Sequence, residues 1–369
     1  APFHRPAAVP DLDNLTSFAA VDFLSMTPEG ADAIVVLLSA QFHLPEPKSD
    51  PSRPLVPVDE PPDPPMEDVY HGAPDRSSLV VEGQTACGRA GTDVYVTGEA
   101  TAPGSAPVTE LIVRVGVGPC RKELLVVGDR QWENRLTGLW ASPPEPFVTM
   151  PLAYEHSFGG STTSLFGRPL FEPRNPVGRG LHASRQDAAG RQLPNLEDPA
   201  DRIARWSDRP SPTGLGPIAR SWEPRRSLAG TFDEVWVEER APLWPVDFDA
   251  TFFHAASPGL VAPSPLQGGE AVILDGLHPG GRIACRLPRR RFLVTAAFRD
   301  RTDRRTMRLD GVWIQTTPPT VTLFWRAAIP AVGRLSQHRQ TVVRELRSWE
   351  DDGPFAPPDP AGGDGSPST

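Results

Sequence analysis

The chain has 369 residues, of which 37 are basic and 46 acidic, so its formal net charge is −9. Nucleic acid and anionic membrane surfaces are disfavoured as main partners because both select a basic footprint. Hydrophobic residues make up 38% of the chain, which is enough to bury a sizeable core and excludes wholesale disorder. The 45 prolines and 32 glycines argue against a helix-rich fold, since proline breaks helix interiors, and favour short strands joined by long ordered loops.

Apolar runs near both ends of the chain predict strands. In chain order they are residues 34–38, 94–96, 111–117, 124–127, 271–274, 283–287, 312–315 and 321–325. The last six form three pairs, each around a short turn with Gly or Pro, so each pair predicts a hairpin. Residues 341–346 fit either a last strand or a short helix. We therefore expect a mainly β fold, an antiparallel sandwich-like scaffold with a long Pro/Gly/Trp-rich ordered loop region and few short helices.

Composition divides the chain into four parts. Residues 1–135 form an N-terminal β portion, in which nine prolines at residues 45–65 predict an extended surface loop. Residues 136–265 hold 18 prolines but also five tryptophans, which a disordered segment would lack, so we expect ordered loops packed on a core. Residues 266–350 form a C-terminal β portion that shares this core, and residues 351–369 predict a disordered Pro/Gly/Ser tail.

The cysteines and the lack of targeting signals indicate in which cellular compartment the protein resides. Cys87, Cys120 and Cys285 are odd in number and far apart in sequence, which fits a reducing environment. The sequence shows no apolar run of about 18 residues that could span a membrane, and no charged-then-apolar signal segment at its start. We therefore expect a cytoplasmic protein.

Catalytic and cofactor motifs are weak throughout the sequence. Residues 214–219 match a dinucleotide fingerprint, but prolines precede them where that fingerprint needs a strand, so we expect a turn. The eight histidines are dispersed, and we expect no metal, no other cofactor and no enzymatic activity. The alternative that stays open is a hydrolase of carbohydrate or peptide. Its candidate acid/base residues are Glu155, His156, Asp247 and Asp249.

The middle portion repeats one kind of pattern, in which glycine and proline are mixed with aromatic residues and arginine. Glycine permits close approach and positive φ, proline orders the backbone, and Arg, Trp and Tyr are frequent anchors of protein interfaces. Ordered loops of this composition are typical of surfaces that recognise another protein. The strings lie at residues 146–160, 174–180, 193–199 and 222–226.

These strings resemble a known bacterial family, the domain-of-unknown-function family 2169, which is associated with type VI secretion. The family's motifs have the form YE-x-x-FGG, NPVGRG, LPN-x-E-x-P, GPI-x-x-x-W-x-PR, AGT-x-D-x-x-W and DFD-x-x-FF. In this chain they stand in that order at residues 154–160, 175–180, 193–199, 216–225, 229–236 and 247–253. The resemblance runs from about residue 14 to about residue 330.

The resemblance implies a cytosolic adaptor or chaperone that binds a type VI effector, or its PAAR or PAAR-like tip, and loads it onto the VgrG spike. It carries over no catalytic residues. A structural component of the spike is a further alternative. On the adaptor hypothesis, residues 136–265 present the binding surface, and neither nucleic acid nor membrane is a partner. The predicted anchors for the partner are Tyr154, Phe158, Arg174, Asn175, Arg179, Trp222, Arg225 and Arg226.

Overall fold

A computed structural model describes residues 12–164 and 166–347 of the chain, so the tail predicted at residues 351–369 lies outside the described residues. Strands account for 41% of the structure and helices for 8%, and most neighbouring strands run antiparallel. This confirms the prediction of a mainly β fold with few short helices.

The longest strands lie in the first and last portions of the chain, and every strand of the middle portion has at most four residues. The first portion has β1 (Leu12–Asn14), β2 (Ala19–Met26), β3 (Asp32–His43), β4 (Val69–Tyr70), β5 (Leu79–Val81), β6 (Thr92–Thr97), β7 (Glu99–Thr101), β8 (Glu110–Val117), β9 (Cys120–Val127) and β10 (Trp132–Arg135). The middle has β11 (Gly138–Ala141), β12 (Thr149–Pro151), β13 (Phe158–Gly159), β14 (Ser161–Thr163), β15 (Pro169–Phe171), β16 (Arg179–Gly180), β17 (Leu196–Glu197) and β18 (Val261–Ala262). The last portion has β19 (Ala271–Asp275), β20 (Ile283–Arg286), β21 (Phe292–Phe298), β22 (Thr302–Thr306), β23 (Arg308–Thr316), β24 (Pro319–Pro330) and β25 (His338–Glu345).

The α-helices of the described residues all lie in the middle portion and are short. They are α1 (Arg185–Ala188), α2 (Arg225–Leu228) and α3 (Glu234–Glu239), and 3-10 turns occur at Pro103–Ser105, Tyr154–His156, Ala250–Phe253 and Leu335–Gln337. Asp233 caps the start of α3, because its side chain accepts a hydrogen bond from the backbone nitrogen of Trp236. Within the described ranges, no helix has the length and apolar character needed to cross a bilayer.

The central six-stranded sheet joins the two ends of the chain. Its strand order is β18–β6–β23–β24–β3–β2. β3 and β24 pair antiparallel over nearly their full length, and β6 runs parallel to β23. The first and last portions of the chain are therefore hydrogen-bonded within one sheet.

Successive residues of β3 face opposite sides of this sheet, as the alternation of side chains along a strand requires. Ile34 and Val36 enter the main core, together with side chains from a five-stranded sheet (β17–β9–β8–β19–β20) and a four-stranded sheet (β1–β25–β21–β22). Ala33 and Val35 face the other way and pack against Cys87. The core thus lies between the sheets, and the opposite face of the six-stranded sheet is covered by the segment that carries Cys87.

The hairpins predicted around Gly118-Pro119, residues 278–281 and residues 317–320 are present as β8–β9, β19–β20 and β23–β24. The stretch 341–346, which fits either a strand or a helix by sequence, is a strand as far as residue 345, where β25 ends. The proline-rich segment 45–65 runs back along β3, where the nitrogen of His43 donates to the oxygen of Val56 at 2.9 Å.

Candidate interaction surface

A buried ionic network joins the middle portion to both ends of the chain. Its members are three carboxylates and four guanidinium groups: Glu82, Asp93, Asp310, Arg89, Arg220, Arg225 and Arg326. All are buried except Arg220, whose side chain is partly exposed. Since buried charges are tolerated only when they are paired and hydrogen-bonded, the folded state depends on these contacts.

Glu82 follows β5 and receives three guanidinium groups. Arg225, the first residue of α2, donates from Nη2 to Oε1 of Glu82 at 2.7 Å, and Arg220 donates from Nε to the same oxygen at 2.8 Å. Nη2 of Arg89 lies 3.3 Å from Oε2. Burial by itself raises the pKa of the Glu82 carboxyl, but the three arginines outweigh it and hold that pKa below its usual range. Glu82 is therefore ionised at neutral pH.

The other half of the network lies on the six-stranded sheet. Arg326 in β24 donates from Nε to Oδ2 of Asp310 in β23 at 2.7 Å, and from Nη1 to the carbonyl oxygen of Gln84 at 2.7 Å. Nε of Arg89 lies 3.4 Å from Oδ2 of Asp93 in β6. Each of the three portions contributes charged groups, so the network fixes the loops of the middle portion to the sheet.

Two of the motif strings pack against each other around Asn175. Its buried Nδ2 donates to the carbonyl oxygens of Tyr154 at 2.8 Å and Phe158 at 2.9 Å. Phe158 pairs in parallel with Arg179 between β13 and β16, and the Tyr154 ring meets Trp222 edge to face at 5.6 Å. The motif residues thus hold one another in place.

Glycine is required where these strings cross. Gly159 has a φ of +152°, and a Cβ at this position would lie 2.1 Å from the carbonyl oxygen of Asn175. Any other residue would force β13 away from the segment that carries Asn175. The close approach explains why the first motif ends in glycine.

The structure divides the eight predicted anchors between the interior and the surface. The buried ones are Tyr154, Phe158, Asn175, Trp222 and Arg225. Arg174 and Arg179 are partly exposed, and the side chain of Arg226 is 67% exposed. A partner that docks on this conformation meets the second group directly, while the first group supports the loops from inside. The partner-binding role of all eight stays a prediction.

Glu155 and His156 are neighbours in sequence but contact different parts of the fold. The Glu155 carboxylate accepts hydrogen bonds from the backbone nitrogen and the Oγ of Ser78, both at 2.6 Å. Nδ1 of His156 lies 3.1 Å from Oδ1 of Asn195, and burial lowers the pKa of the His156 imidazole. An acid/base pair needs both groups at one reacting atom, whereas each of these is taken by a separate structural contact.

Asp247 and Asp249 stabilise two turns. Asp247 accepts hydrogen bonds from the backbone nitrogen and Oγ1 of Thr231 at 2.9 and 2.7 Å, and Asp249 accepts the same pair from Thr251 at 2.8 and 2.7 Å. These bonds lower the pKa of both carboxyls, the opposite of the raised pKa of a general acid. Across the described residues, no group of three or more His, Cys, Asp or Glu side chains is placed to hold a metal ion.

One polar contact that the sequence did not predict joins a lysine to a serine. Lys122 in β9 donates from Nζ to Oγ of Ser257 at 2.7 Å, and Ser257 donates to the carbonyl oxygen of Gly214 at 2.8 Å. Burial lowers the pKa of Lys122 to about 8. A serine beside such a lysine can act as a nucleophile, but Ser257 is only 1% exposed and closed to substrate here. The one signal in the sequence was that Lys48 and Lys122 are the only lysines.

Two stretches of the middle portion each expose three or more large apolar side chains to water. The hairpin β14–β15 exposes Phe166, Leu170 and Phe171, and the region around α3 exposes Phe232, Val235, Val237 and Val246. Phe166 is 91% exposed and Val246 is 86% exposed, so neither side chain is used to pack the interior of the chain. Exposed apolar groups in one region mark surfaces that contact another molecule.

Hydrogen bonds and ring contacts fix the segment that follows α3. Nε1 of Trp236 donates to the carbonyl oxygen of Leu243 at 2.8 Å, and Nε of Arg240 donates to that of Trp244 at 2.8 Å. The Trp244 ring lies 6.1 Å from that of Phe252. Phe252 in turn lies under the guanidinium of Arg225, at 5.3 Å. The exposed side chains around α3 are thereby connected to the ionic network.

A family comparison decides which group of proteins the chain falls in. The family described as "Uncharacterized protein conserved in bacteria (DUF2169)" matches residues 29–326, which is most of the chain. The chain belongs to this family. No curated protein and no solved structure matches it. The matched range includes the whole ionic network, the motif strings and α3, so these are features of the DUF2169 portion of the chain.

Proposed function

We propose that the chain is a non-catalytic adaptor that holds a type VI effector, or the PAAR or PAAR-like tip that carries it, for loading onto the VgrG spike. The motif resemblance supports the type VI assignment, and membership of a bacterial family agrees with it. The observation that carries the adaptor role is the set of exposed apolar side chains on loops that are fixed from inside. A surface ordered in advance loses little conformational entropy when a partner docks.

The arginines at the surface of the middle portion supply polar contacts for such a partner. Arg226 is 3.8 Å from Glu223 and otherwise faces water, and Arg174 donates to Glu172 at 2.7 Å while keeping part of its side chain exposed. Arginine is enriched among the residues that dominate interface energetics. In this proposal the exposed arginines contact the partner, and the buried motif residues keep them in position.

A hydrolase is the weaker candidate. Glu155 accepts hydrogen bonds from Ser78, and His156 lies within hydrogen-bond distance of Asn195. Asp247 and Asp249 each accept hydrogen bonds from a threonine. The four groups would have to leave these contacts before they could act on a substrate. The adaptor role requires no such rearrangement.

Affinity capture of the tagged chain from its native cell, read by mass spectrometry, tests the proposal. We expect near-stoichiometric recovery of a toxin-like protein with a PAAR-type tip or VgrG, and no such protein on an unrelated tagged bait of similar net charge. Recovery of the bait alone under secretion-active conditions would contradict the proposal. Fractionation tests the spike-component alternative, because an adaptor stays in the cells while a spike component is released with the apparatus.

A further inference from the structure

The region around α3 combines exposed apolar side chains with a dense negative charge. Residues 231–250 contain six carboxylates and a single basic residue, Arg240. We define the α3 surface as the side chains of Phe232, Asp233, Glu234, Val235, Val237, Glu238, Glu239 and Val246, all of which are exposed. Five of them, from Phe232 to Glu238, line a shallow depression of about 350 Å³.

The α3 surface is not needed to close the core. No residue of α3 is buried, and the exposed Phe232 packs edge to face on the half-buried Trp236 with ring centroids 4.8 Å apart. The bonds from Thr231 to Asp247 fix the two chain segments that carry Phe232 and Val246. The apolar side chains are therefore presented to water on a fixed frame rather than on a loose loop.

Resting on the proposed function, we propose that the α3 surface docks a basic amphipathic segment of the partner, with lysine or arginine alternating with apolar residues at helical spacing. Charge complementarity selects this occupant, because the carboxylates beside the apolar groups attract ammonium and guanidinium groups and repel acidic segments. An amphipathic helix laid in a shallow groove satisfies both requirements at once. A second copy of this chain is disfavoured as occupant because the chain carries a net charge of −9.

A labelled peptide tests this inference with the full chain. The probe is an amphipathic peptide of about 18 residues, made of lysine and leucine at helical spacing; matched peptides replace lysine by glutamate or leucine by serine. By fluorescence anisotropy we expect the Lys/Leu peptide to bind and the other two to bind at least about tenfold more weakly. Binding should weaken as salt is raised, since exposed charges are screened.

Two double variants remove the two chemistries separately. Val235→Ser with Val237→Ser removes apolar contact, and Glu234→Lys with Glu238→Lys reverses charge; each should weaken binding at least about tenfold. All four side chains are exposed, so the variants should fold, which an unchanged melting temperature verifies. The control Val56→Ser with Val332→Ser changes exposed apolar groups outside the middle portion and should leave binding unchanged.

Several results would overturn the inference. The inference fails if the Lys/Leu and Glu/Leu peptides bind equally well. It also fails if the α3 variants bind the Lys/Leu peptide as well as the unaltered chain does, or if the chain forms a dimer that the α3 variants dissociate. Native capture separates this failure from that of the proposed function. If the effector or tip is recovered equally with the unaltered chain and with the α3 variants, the α3 surface is not the docking site but the adaptor role stands. If neither bait recovers it, the adaptor role itself fails.

Discussion

Nη2 of Arg225 lies 2.7 Å from Oε1 of Glu82, across 143 positions of sequence. The contact ties α2, in the middle portion, to the segment that covers the six-stranded sheet. Because the same guanidinium also donates to the carbonyl oxygen of Phe252 at 2.8 Å, one side chain links three stretches of the chain. A residue expected to anchor a partner from outside is thus part of the interior of the protein.

Replacing Glu82 should destabilise the fold strongly. Glu82→Gln leaves the guanidinium groups of Arg220 and Arg225 without their carboxylate, and breaking a buried ion pair from one side costs about 3–5 kcal/mol. Denaturant unfolding measures this free energy. The control is Glu123→Gln, because Glu123 pairs with Arg114 at 2.8 Å on the surface and should change the free energy of unfolding by less than about 1 kcal/mol. Equal effects of the two substitutions would show that the network does not stabilise the fold.

The adjacent arginines of α2 separate a supporting role from a contacting one. Arg225→Ala removes a buried member of the ionic network and should lower the free energy of unfolding by about 3–5 kcal/mol. Arg226→Ala should change it by less than about 0.5 kcal/mol, because its side chain faces water. Native capture should nevertheless recover less partner with Arg226→Ala than with the unaltered chain. Normal recovery would remove Arg226 from the predicted interface.

The hydrogen bonds of Asn175 give a third prediction. Asn175→Ala leaves the buried carbonyl oxygens of Tyr154 and Phe158 without their donor, which costs about 1–3 kcal/mol. The matched control is Asn134→Ala, since Asn134 is exposed. Thermal unfolding compares the two variants. A melting temperature for Asn175→Ala equal to that of the control would contradict the role given to this amide.

Lys122 predicts a rise of stability at alkaline pH. Its pKa is about 8 in the folded chain against an ordinary value of 10.5, so between these limits the unfolded chain binds the extra proton and stability increases with pH. Below pH 8 both states are protonated and the full penalty of burying the charge is present. Lys122→Met lacks this group, so the difference in unfolding free energy between the two proteins should shift in favour of the unaltered chain from pH 8 to about 10.5. A difference independent of pH would contradict the lowered pKa of Lys122.

The sequence is sufficient to predict those strands that are marked by an apolar run next to a turn. The runs at 111–117 and 124–127 alternate or cluster apolar residues around Gly-Pro, and local geometry alone closes that hairpin. The strand β2 gave no such signal, because its apolar residues are broken by Asp22 and Ser25 and every side chain is only half-buried. The parallel pairing of β6 with β23 depends on contacts between distant parts of the chain, which no local pattern encodes.

The candidate site was harder to predict, for a physical reason. Arginine and aromatic residues in Gly/Pro-rich loops have the same composition whether they face a partner or a buried carboxylate. Only the position of Glu82 distinguishes Arg225 from Arg226, and that position is set by the fold. The α3 surface escaped notice because its valines and glutamates resemble an ordinary amphipathic helix, and the structure alone shows that the valines are exposed.

The pairing of β3 with β24 also has a consequence for synthesis on the ribosome. At about 5–20 residues per second, the roughly 280 residues between the two strands take about 15 to 60 s to translate. During that time the eight consecutive buried residues 33–40 lack one neighbouring strand. An open apolar strand edge on a nascent chain attracts other chains, so the yield of folded protein should depend on how many copies emerge close together.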